Sequence, residues 1–172
     1  MYHVERCRAE VNADEFKARF VDVPRFLQCC RECRNYGKKW TCPPYDFDPE
    51  EIWSAYSKLT LIGCRILPDN DGEDLIRDLL QEKELLYQEL LQMERAVPGS
   101  MLLSAGACDF CDVCKKVTAE PCCHPERLRY SLESLGANVG KTAEELLGIR
   151  LQWYADGRQP EYLALICGLL EK

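Results

Sequence analysis

A chain of 172 residues, 47% of them hydrophobic, is long enough to bury one hydrophobic core, so we expect a single metal-binding domain over residues 1–172. Its 22 basic and 29 acidic residues give a net charge of −7, which argues against general binding to nucleic acid or to anionic membranes. The start of the chain carries charges where a secretory signal has an apolar core, and no apolar run is long enough to span a membrane. These features predict a cytoplasmic protein.

The first third of the chain is predicted to contain a strand and a helix, then a cysteine-rich segment, and then a second helix. His3 to Val11 is predicted as a strand, and Ala13 to Leu27 has apolar residues at helical spacings. Asp48 is a suitable N-cap, Pro49 suits the first helical position, and acidic residues follow in the first turn. A short helix is therefore expected to run to about Tyr56.

A buried strand and a long helix are predicted in the middle of the chain. Leu59 to Leu67 is a compact apolar run that indicates a buried strand, and Pro68 to Gly72 closes it with turn residues. Glu73 to Val97 repeats apolar residues at three and four positions, the most regular helical pattern in the chain. Ser100 to Ala107 is predicted as a strand, so strand, helix and strand follow in a βαβ-like order.

The last third predicts short helices and a hairpin. Pro125 to Leu135 is predicted to be helical, and Ala143 to Leu147 to add one or two helical turns. Ile149 to Tyr154 is expected to pair with Tyr162 to Leu170 across a turn at residues 155–158. The predicted fold is thus α+β or α/β: one small sheet with flanking helices and cysteine-rich metal-binding loops.

Cysteine is the unusual component, with 12 in the chain. Cytoplasmic thiols are kept reduced, so this number favours metal binding over disulfide bonds. Cys64, inside the predicted strand, is expected only to fill space. Nine cysteines fall into two segments, which hold Cys29, Cys30, Cys33 and Cys42, and then Cys108, Cys111, Cys114, Cys122 and Cys123.

The second segment has the spacing C-x2-C-x2-C, and a further cysteine next to a proline follows after seven intervening residues: Cys108, Cys111, Cys114 and Cys122. Bacterial ferredoxins use this spacing and a cysteine beside proline to hold cubane clusters. Structural zinc sites usually pair two separate C-x2-C units, and a third cysteine after two more residues is uncommon in them. The spacing therefore favours one [4Fe–4S] cluster on these four thiolates, with zinc as the alternative.

Two residues beside Cys122 are weaker ligand candidates. Adjacent cysteines seldom ligate the same metal, which counts against Cys123. His124 could coordinate in its neutral form, but a surface histidine at the start of a helix is the simpler interpretation.

The first segment predicts a second metal site near the first, because breaks beside Cys42 and Cys108 can bring the two loops to one edge of the sheet. Cys30 and Cys33 form a chelating pair, and Cys42 is held by the rigid Pro43-Pro44 that follows. With Cys29 as a fourth ligand the site would be closed. Three ligands would leave one iron open to solvent or substrate, as a catalyst requires.

Longer motifs surround these cysteines: Cys30-x2-Cys33 with Asn35-Tyr36-Gly37, Trp40-Thr41-Cys42-Pro43-Pro44, Cys108-x2-Cys111-x2-Cys114, Pro121-Cys122 with Pro125-Glu126-Arg127, and Ser131-x-Glu133 with Leu135 to Val139. In these motifs the chain resembles the predicted metal-binding proteins grouped as domain of unknown function 2284. The resemblance covers nearly the entire chain, from about Cys29 to the predicted closing strand pair. It implies a small soluble metal-binding protein of a kind often expected in anaerobes, and it assigns no reaction.

Two classes of function fit these observations best. An iron–sulfur protein for electron transfer, with one or two [4Fe–4S] clusters, is favoured because a negative surface suits docking to a basic patch on a redox partner protein. The alternatives are an enzyme that uses an open-site cluster for sulfur or small-molecule redox chemistry, and a zinc-stabilised interaction module. Hydrolase chemistry is disfavoured because His3 and His124 are the only histidines.

Overall fold

A four-stranded antiparallel sheet forms the centre of the protein, whose structure is a computed structural model that describes residues 2–69 and 74–172. In spatial order the strands are β1 (Tyr2–Asn12), β2 (Lys58–Pro68), β4 (Leu163–Glu171) and β3 (Met101–Leu103). The α-helices of the described residues are α1 (Ala13–Phe20), α2 (Val23–Arg31), α3 (Pro49–Ser54), α4 (Leu75–Ala96) and α5 (Val139–Leu147). The antiparallel pairing makes the fold α+β, which confirms that prediction.

The elements with the most regular sequence patterns lie where they were predicted. β1 and β2 each extend the predicted strand by one residue at both ends. α3 follows its predicted cap, because the Asp48 carboxylate accepts a hydrogen bond from the Glu50 amide at 3.0 Å. α4 begins at Leu75, while the predicted turn at residues 70–72 and the predicted helix start at Glu73 lie outside the described residues.

The last strand lies between the two strands that the long helix connects. Ile62 of β2 faces Cys167 of β4, and Leu102 of β3 faces Leu169 of β4, both in antiparallel pairs. β2 and β3 therefore run parallel to each other, with α4 between them in sequence and β4 between them in space. The predicted strand–helix–strand order is confirmed, but β4 lies between the two strands of this unit.

The predicted hairpin at the end of the chain is wrong in its first strand. Residues 149–154 form no strand, although the turn exists, with the Arg158 amide donating to the Ala155 carbonyl at 2.8 Å. β4 is paired with β2 on one side and with β3 on the other. β2 pairs with β4 along the whole length of β4, and β3 pairs with β4 at residues 168–170, so residues 149–154 supply no strand to the sheet.

The predicted helix from Pro125 to Leu135 is also wrong, because its backbone is used to extend the β3 region. The Ser104 amide donates to the Tyr130 carbonyl at 2.8 Å, and Ser104 forms an isolated parallel bridge with Ser131. Only two 3₁₀ turns remain, at Pro125–Arg127 and Glu133–Leu135. The predicted strand at Ser100 to Ala107 is correspondingly short, since β3 covers only Met101–Leu103.

The predicted helix over Ala13 to Leu27 is divided into α1 and α2 at Asp22. The Asp22 carboxylate caps α2 by accepting from the Arg25 amide at 3.1 Å, and the Asp22 amide donates to the Gly136 carbonyl at 2.9 Å. Gly136 has φ +87°, and a Cβ there would stand 2.7 Å from the Val23 Cα. This close approach requires glycine, and it joins α2 to the region that follows the second cysteine segment.

Both faces of the sheet are covered. α4 packs on one face, where Ile62 and Cys64 meet Leu86 and Leu90. α1, α3 and the Glu133–Leu135 turn cover the other face around a fully buried Trp53. This burial explains why β2 and β4 are nearly continuous apolar runs, and Cys64 fills space there as predicted.

None of the helices in the described residues combines the length and the apolar composition that crossing a membrane would require.

Candidate metal centre

The first cysteine segment leaves α2 and folds back on itself. Cys30 lies in the last turn of α2, and the Cys33 amide donates to the Cys30 carbonyl at 3.0 Å. The Gly37 amide donates to the Pro43 carbonyl at 2.8 Å, which closes the loop. Cys42 is thereby returned to the neighbourhood of the two earlier cysteines.

The second cysteine segment follows the edge strand β3 and is organised by amide groups that donate to sulfur. The His124 amide donates to the Cys122 Sγ at 3.4 Å. The Phe110 amide donates to the Cys108 thiol, which favours the ionised form of that cysteine and opposes the rise in its pKa caused by burial. Hydrogen bonds of this kind stabilise thiolates, the form in which cysteine binds metals.

The two segments are in direct contact. The Lys116 ammonium donates to the Cys42 carbonyl at 2.8 Å and to the Pro44 carbonyl at 3.1 Å. The Cys108 amide, also from the second segment, donates to the Thr41 Oγ1 at 3.4 Å. The loops therefore lie side by side, which is what the prediction of two neighbouring sites requires.

Asp109 joins both segments to α4. Its carboxylate accepts from the Lys39 ammonium at 3.0 Å and from the Lys83 ammonium at 2.6 Å. Lys39 also donates to the Cys108 carbonyl, and Lys83 to the Ala107 carbonyl at 2.7 Å. Burial opposes ionisation of Asp109, but the two lysines hold its pKa below the ordinary value, so the carboxylate stays charged.

The four cysteines predicted to hold a cluster share one cavity of about 20 Å³. The cavity lies where the segments touch, and its wall also includes Thr41 and Phe110. The cysteines that line it are Cys108, Cys111, Cys114 and Cys122. Four half-buried thiols from one short segment thus face a common space beside the first segment.

The cysteines of the first segment also lie close enough to one another for their charges to interact. Burial raises the pKa of the Cys30 thiol to about 11, and negative charge at Cys42 and Cys33 acts in the same direction. Burial raises the pKa of Cys42 as well, against the opposing hydrogen bond from Thr41. These thiols are protonated at neutral pH, so a bound metal must displace their protons.

The cysteines of the two segments differ in exposure. Cys29, Cys33 and Cys123 are exposed, whereas the other cysteines of the two segments are half-buried. Cys123 is close enough to Cys111 for its charge to raise the pKa of that thiol, after burial, which is the larger cause. His124 lines the thiol cavity and precedes the Pro125–Arg127 turn.

Residues 2–69 and 74–172 contain no group of three or more His, Cys, Asp or Glu side chains arranged so that it could hold a metal ion. The ligand assignments in both segments stay predictions. The donor set itself fits a metal centre, because grouped thiols with amide hydrogen bonds to sulfur are the ligands that iron–sulfur clusters and zinc prefer.

Sequence reasoning missed the lysines that hold the two segments together. Lys115 and Lys116 are adjacent and indistinguishable in sequence, yet Lys115 pairs with Glu120 at 3.2 Å whereas Lys116 reaches the other loop. Lys39 and Lys83 act through Asp109 in the same way. No local pattern marks these residues, because their partners lie far away in sequence.

Glu133 is a further residue to which sequence reasoning gave no role. After burial, the negative charge of Glu133 raises the pKa of both Cys30 and Cys42. Glu133 also lies near Lys83, so it is placed between the first cysteine segment and α4. Desolvation raises the pKa of Glu133 itself, against hydrogen bonds that include one from Ser131. The Ser131-x-Glu133 motif was the only signal that could have drawn attention to it.

Comparison with protein families gives one match. The family model described as Predicted metal-binding protein (DUF2284) matches residues 17–169, a range that contains both cysteine segments and Glu133. No curated protein and no solved structure matches the chain.

Proposed function

We propose that this chain, which belongs to the family of predicted metal-binding proteins called domain of unknown function 2284, is an iron–sulfur protein that transfers electrons or serves as a redox partner. The observation that carries the proposal is the cavity shared by Cys108, Cys111, Cys114 and Cys122. Their ferredoxin-like spacing and their common cavity together favour one [4Fe–4S] cluster.

The surroundings of these thiols support a redox role. The reduction potential of an iron–sulfur cluster depends on hydrogen bonds to its sulfur atoms and on its exposure to solvent. This protein supplies amide donors to Cys108 and Cys122, and Lys39 lies in the wall of the same cavity. A cluster held here would be polarised by fixed donors of the protein.

The position of the second segment suits electron exchange with another protein. Val113 is 69% exposed and Val117 is 49% exposed, so apolar side chains reach solvent on both sides of Cys114. The net charge of −7 favours a partner with a basic docking patch. A second cluster on Cys30, Cys33 and Cys42, with Cys29 as a fourth ligand, would place two centres side by side.

The test is anaerobic purification followed by iron, zinc and sulfide analysis and electron paramagnetic resonance. Cys111→Ser should remove about four iron atoms, one cubane's content, while Cys7→Ser on β1 should keep the full amount. Cys7 is a fair control because its Sγ lies 3.6 Å from the Gly63 carbonyl, inside the sheet region. Full iron and an unchanged spectrum in Cys111→Ser would end the assignment, and zinc without sulfide would favour a zinc-stabilised interaction module.

The open-site enzyme is the second candidate, and the grouping of Cys30, Cys33 and Cys42 favours it. After burial, negative charge at Cys33 raises the pKa of both Cys30 and Cys42, whereas negative charge at Cys29 is the smallest of the causes that raise the pKa of Cys30. Cys29→Ser distinguishes the candidates. Unchanged iron content together with a spectrum that shifts when an external thiol is added would favour the enzyme, and loss of iron would favour a closed electron-transfer cluster.

A further inference from the structure

A larger cavity of about 230 Å³ lies beside the thiol cavity and shares Cys108 and Phe110 with it. α4 forms one wall, and the residues that follow the second cysteine segment form another. Leu80 of α4 is 50% exposed and lines the cavity, so the cavity opens to solvent there. At about 30 Å³ for each water-sized group, the space holds a ligand of about eight such groups.

Much of the lining is apolar and aromatic. The rings of Tyr87 and Phe110 pack edge to face with centroids 5.1 Å apart, and Leu80 and Ala107 add aliphatic surface. The Arg127 guanidinium lies over the Phe110 ring at 3.7 Å from its centroid. This combination of aromatic wall and fixed cation is typical of pockets that orient a small organic molecule.

The lining itself carries one more cation than anion. Three cations, Lys83, Arg127 and Arg129, stand against two anions, Glu84 and Asp109, whereas the chain as a whole is acidic. Lys83 and Arg127 are paired within the lining, with Asp109 at 2.6 Å and Glu84 at 2.7 Å. Arg129 is paired with Glu94, which does not line the cavity.

Arg127 has one donor left over. Its Nε is buried and has no hydrogen-bond partner among the described residues, although another nitrogen of the same group is bonded to Glu84. A buried N–H without an acceptor is unfavourable, and a donor on a charged group gains most from being satisfied. The Arg127 side chain as a whole is 28% exposed, so part of this cation stays accessible to a ligand in the cavity.

We infer that this cavity binds a small organic carboxylate, with its acidic group against Arg127 and its apolar body against Phe110, Tyr87 and Leu80. The ligand would lie next to Cys108. The inference goes beyond the proposed redox function and does not depend on it, because the cavity is lined by protein side chains alone.

Benzoate is a suitable probe, since it joins a carboxylate to an aromatic ring of the right size, and benzamide is its neutral counterpart. Isothermal titration calorimetry on the metal-loaded protein should show benzoate binding at least about tenfold more tightly than benzamide, the factor expected for one charge-assisted hydrogen bond. Absence of benzoate binding, or equal affinity for the two compounds, would overturn the inference.

Two pairs of variants locate the binding. Leu80→Glu places a carboxylate at the mouth of the cavity and should weaken benzoate binding by about tenfold or more. Leu85→Glu, at a position of the same helix that is 55% exposed and outside the lining, should leave it unchanged. Equal effects of the two changes would contradict binding in this cavity.

Arg127→Met should remove the preference for benzoate over benzamide. Arg25→Met is its control, because Arg25 also lies over a phenylalanine, Phe26, at 5.5 Å but outside the cavity. A preference that survives in Arg127→Met would show that this arginine does not hold the acid. Iron and zinc content measured on each sample separates a lost ligand site from a lost metal centre.

Discussion

The sheet with its helices and the two cysteine segments are stabilised in different ways. β2 and β4 are buried along nearly their whole length, between α4 on one face and α1 and α3 on the other. By contrast, no side chain of residues 108–125 is buried, and in residues 29–44 only Thr41 and Pro43 are. Apolar burial accounts for the order of the sheet, whereas the segments depend on a few hydrogen bonds and, we expect, on metal.

The largest expected effect tests the sheet half of this comparison. Trp53 is fully buried and its indole N–H donates to the Leu135 carbonyl at 2.9 Å, so Trp53→Ala should lower the free energy of unfolding by about 3–5 kcal/mol. Trp153→Ala, at a side chain that is 70% exposed, should change it by less than about 0.5 kcal/mol. Urea unfolding followed by far-ultraviolet circular dichroism measures both, and similar losses would break the comparison.

Removal of metal tests the other half. Amides of residues 29–44 and 108–125 should exchange hydrogen faster after anaerobic chelation, because these residues lack the apolar contacts that would otherwise keep them closed. Amides of β2 and β4 should keep their protection. Hydrogen exchange with mass spectrometry compares the two states, and identical exchange of the segments with and without metal would show that metal does not stabilise them.

The smallest expected effect sharpens the account of how the segments meet. Lys116→Met keeps an unbranched side chain but removes the donor to the Cys42 and Pro44 carbonyls. The opening free energy of amides near Cys42 should fall by about 1 kcal/mol. Lys115→Met removes only the exposed pair with Glu120 and is the matched control. Equal changes in the two variants would mean that the Lys116 contacts do not hold the segments together.

Sequence patterns predicted the elements that are marked by a local pattern of apolar and turn residues. β1 and β2 were placed to within one residue at each end, because apolar runs bounded by turn residues are local signals. The helix predicted at Pro125 to Leu135 failed because Leu128, Leu132 and Leu135 have a helical spacing that tertiary contacts override. The Tyr130 carbonyl pairs with the Ser104 amide, and the Leu135 carbonyl with Trp53.

The candidate site also has residues that sequence patterns identified and residues that they did not. Spacing alone identified the four cysteines that share the 20 Å³ cavity, since C-x2-C-x2-C is a local pattern. The groups that join the segments, Lys39, Lys83 and Lys116, were not identifiable, because each acts on a partner more than 20 residues away. The cavity beside Cys108 was equally invisible, since α4 and Arg127 meet only in the folded chain.

The position of β4 has a consequence for the order of assembly. Ile62 and Cys167 pair across more than a hundred residues, so the sheet cannot close until the last strand has been made and inserted between β2 and β3. Such non-local pairing is slow. The second cysteine segment lies in the connection between β3 and β4, which must still move at that stage, and the first segment contacts it through Lys116 and Cys108. We therefore expect the chain to acquire its metal late, after β4 has entered the sheet.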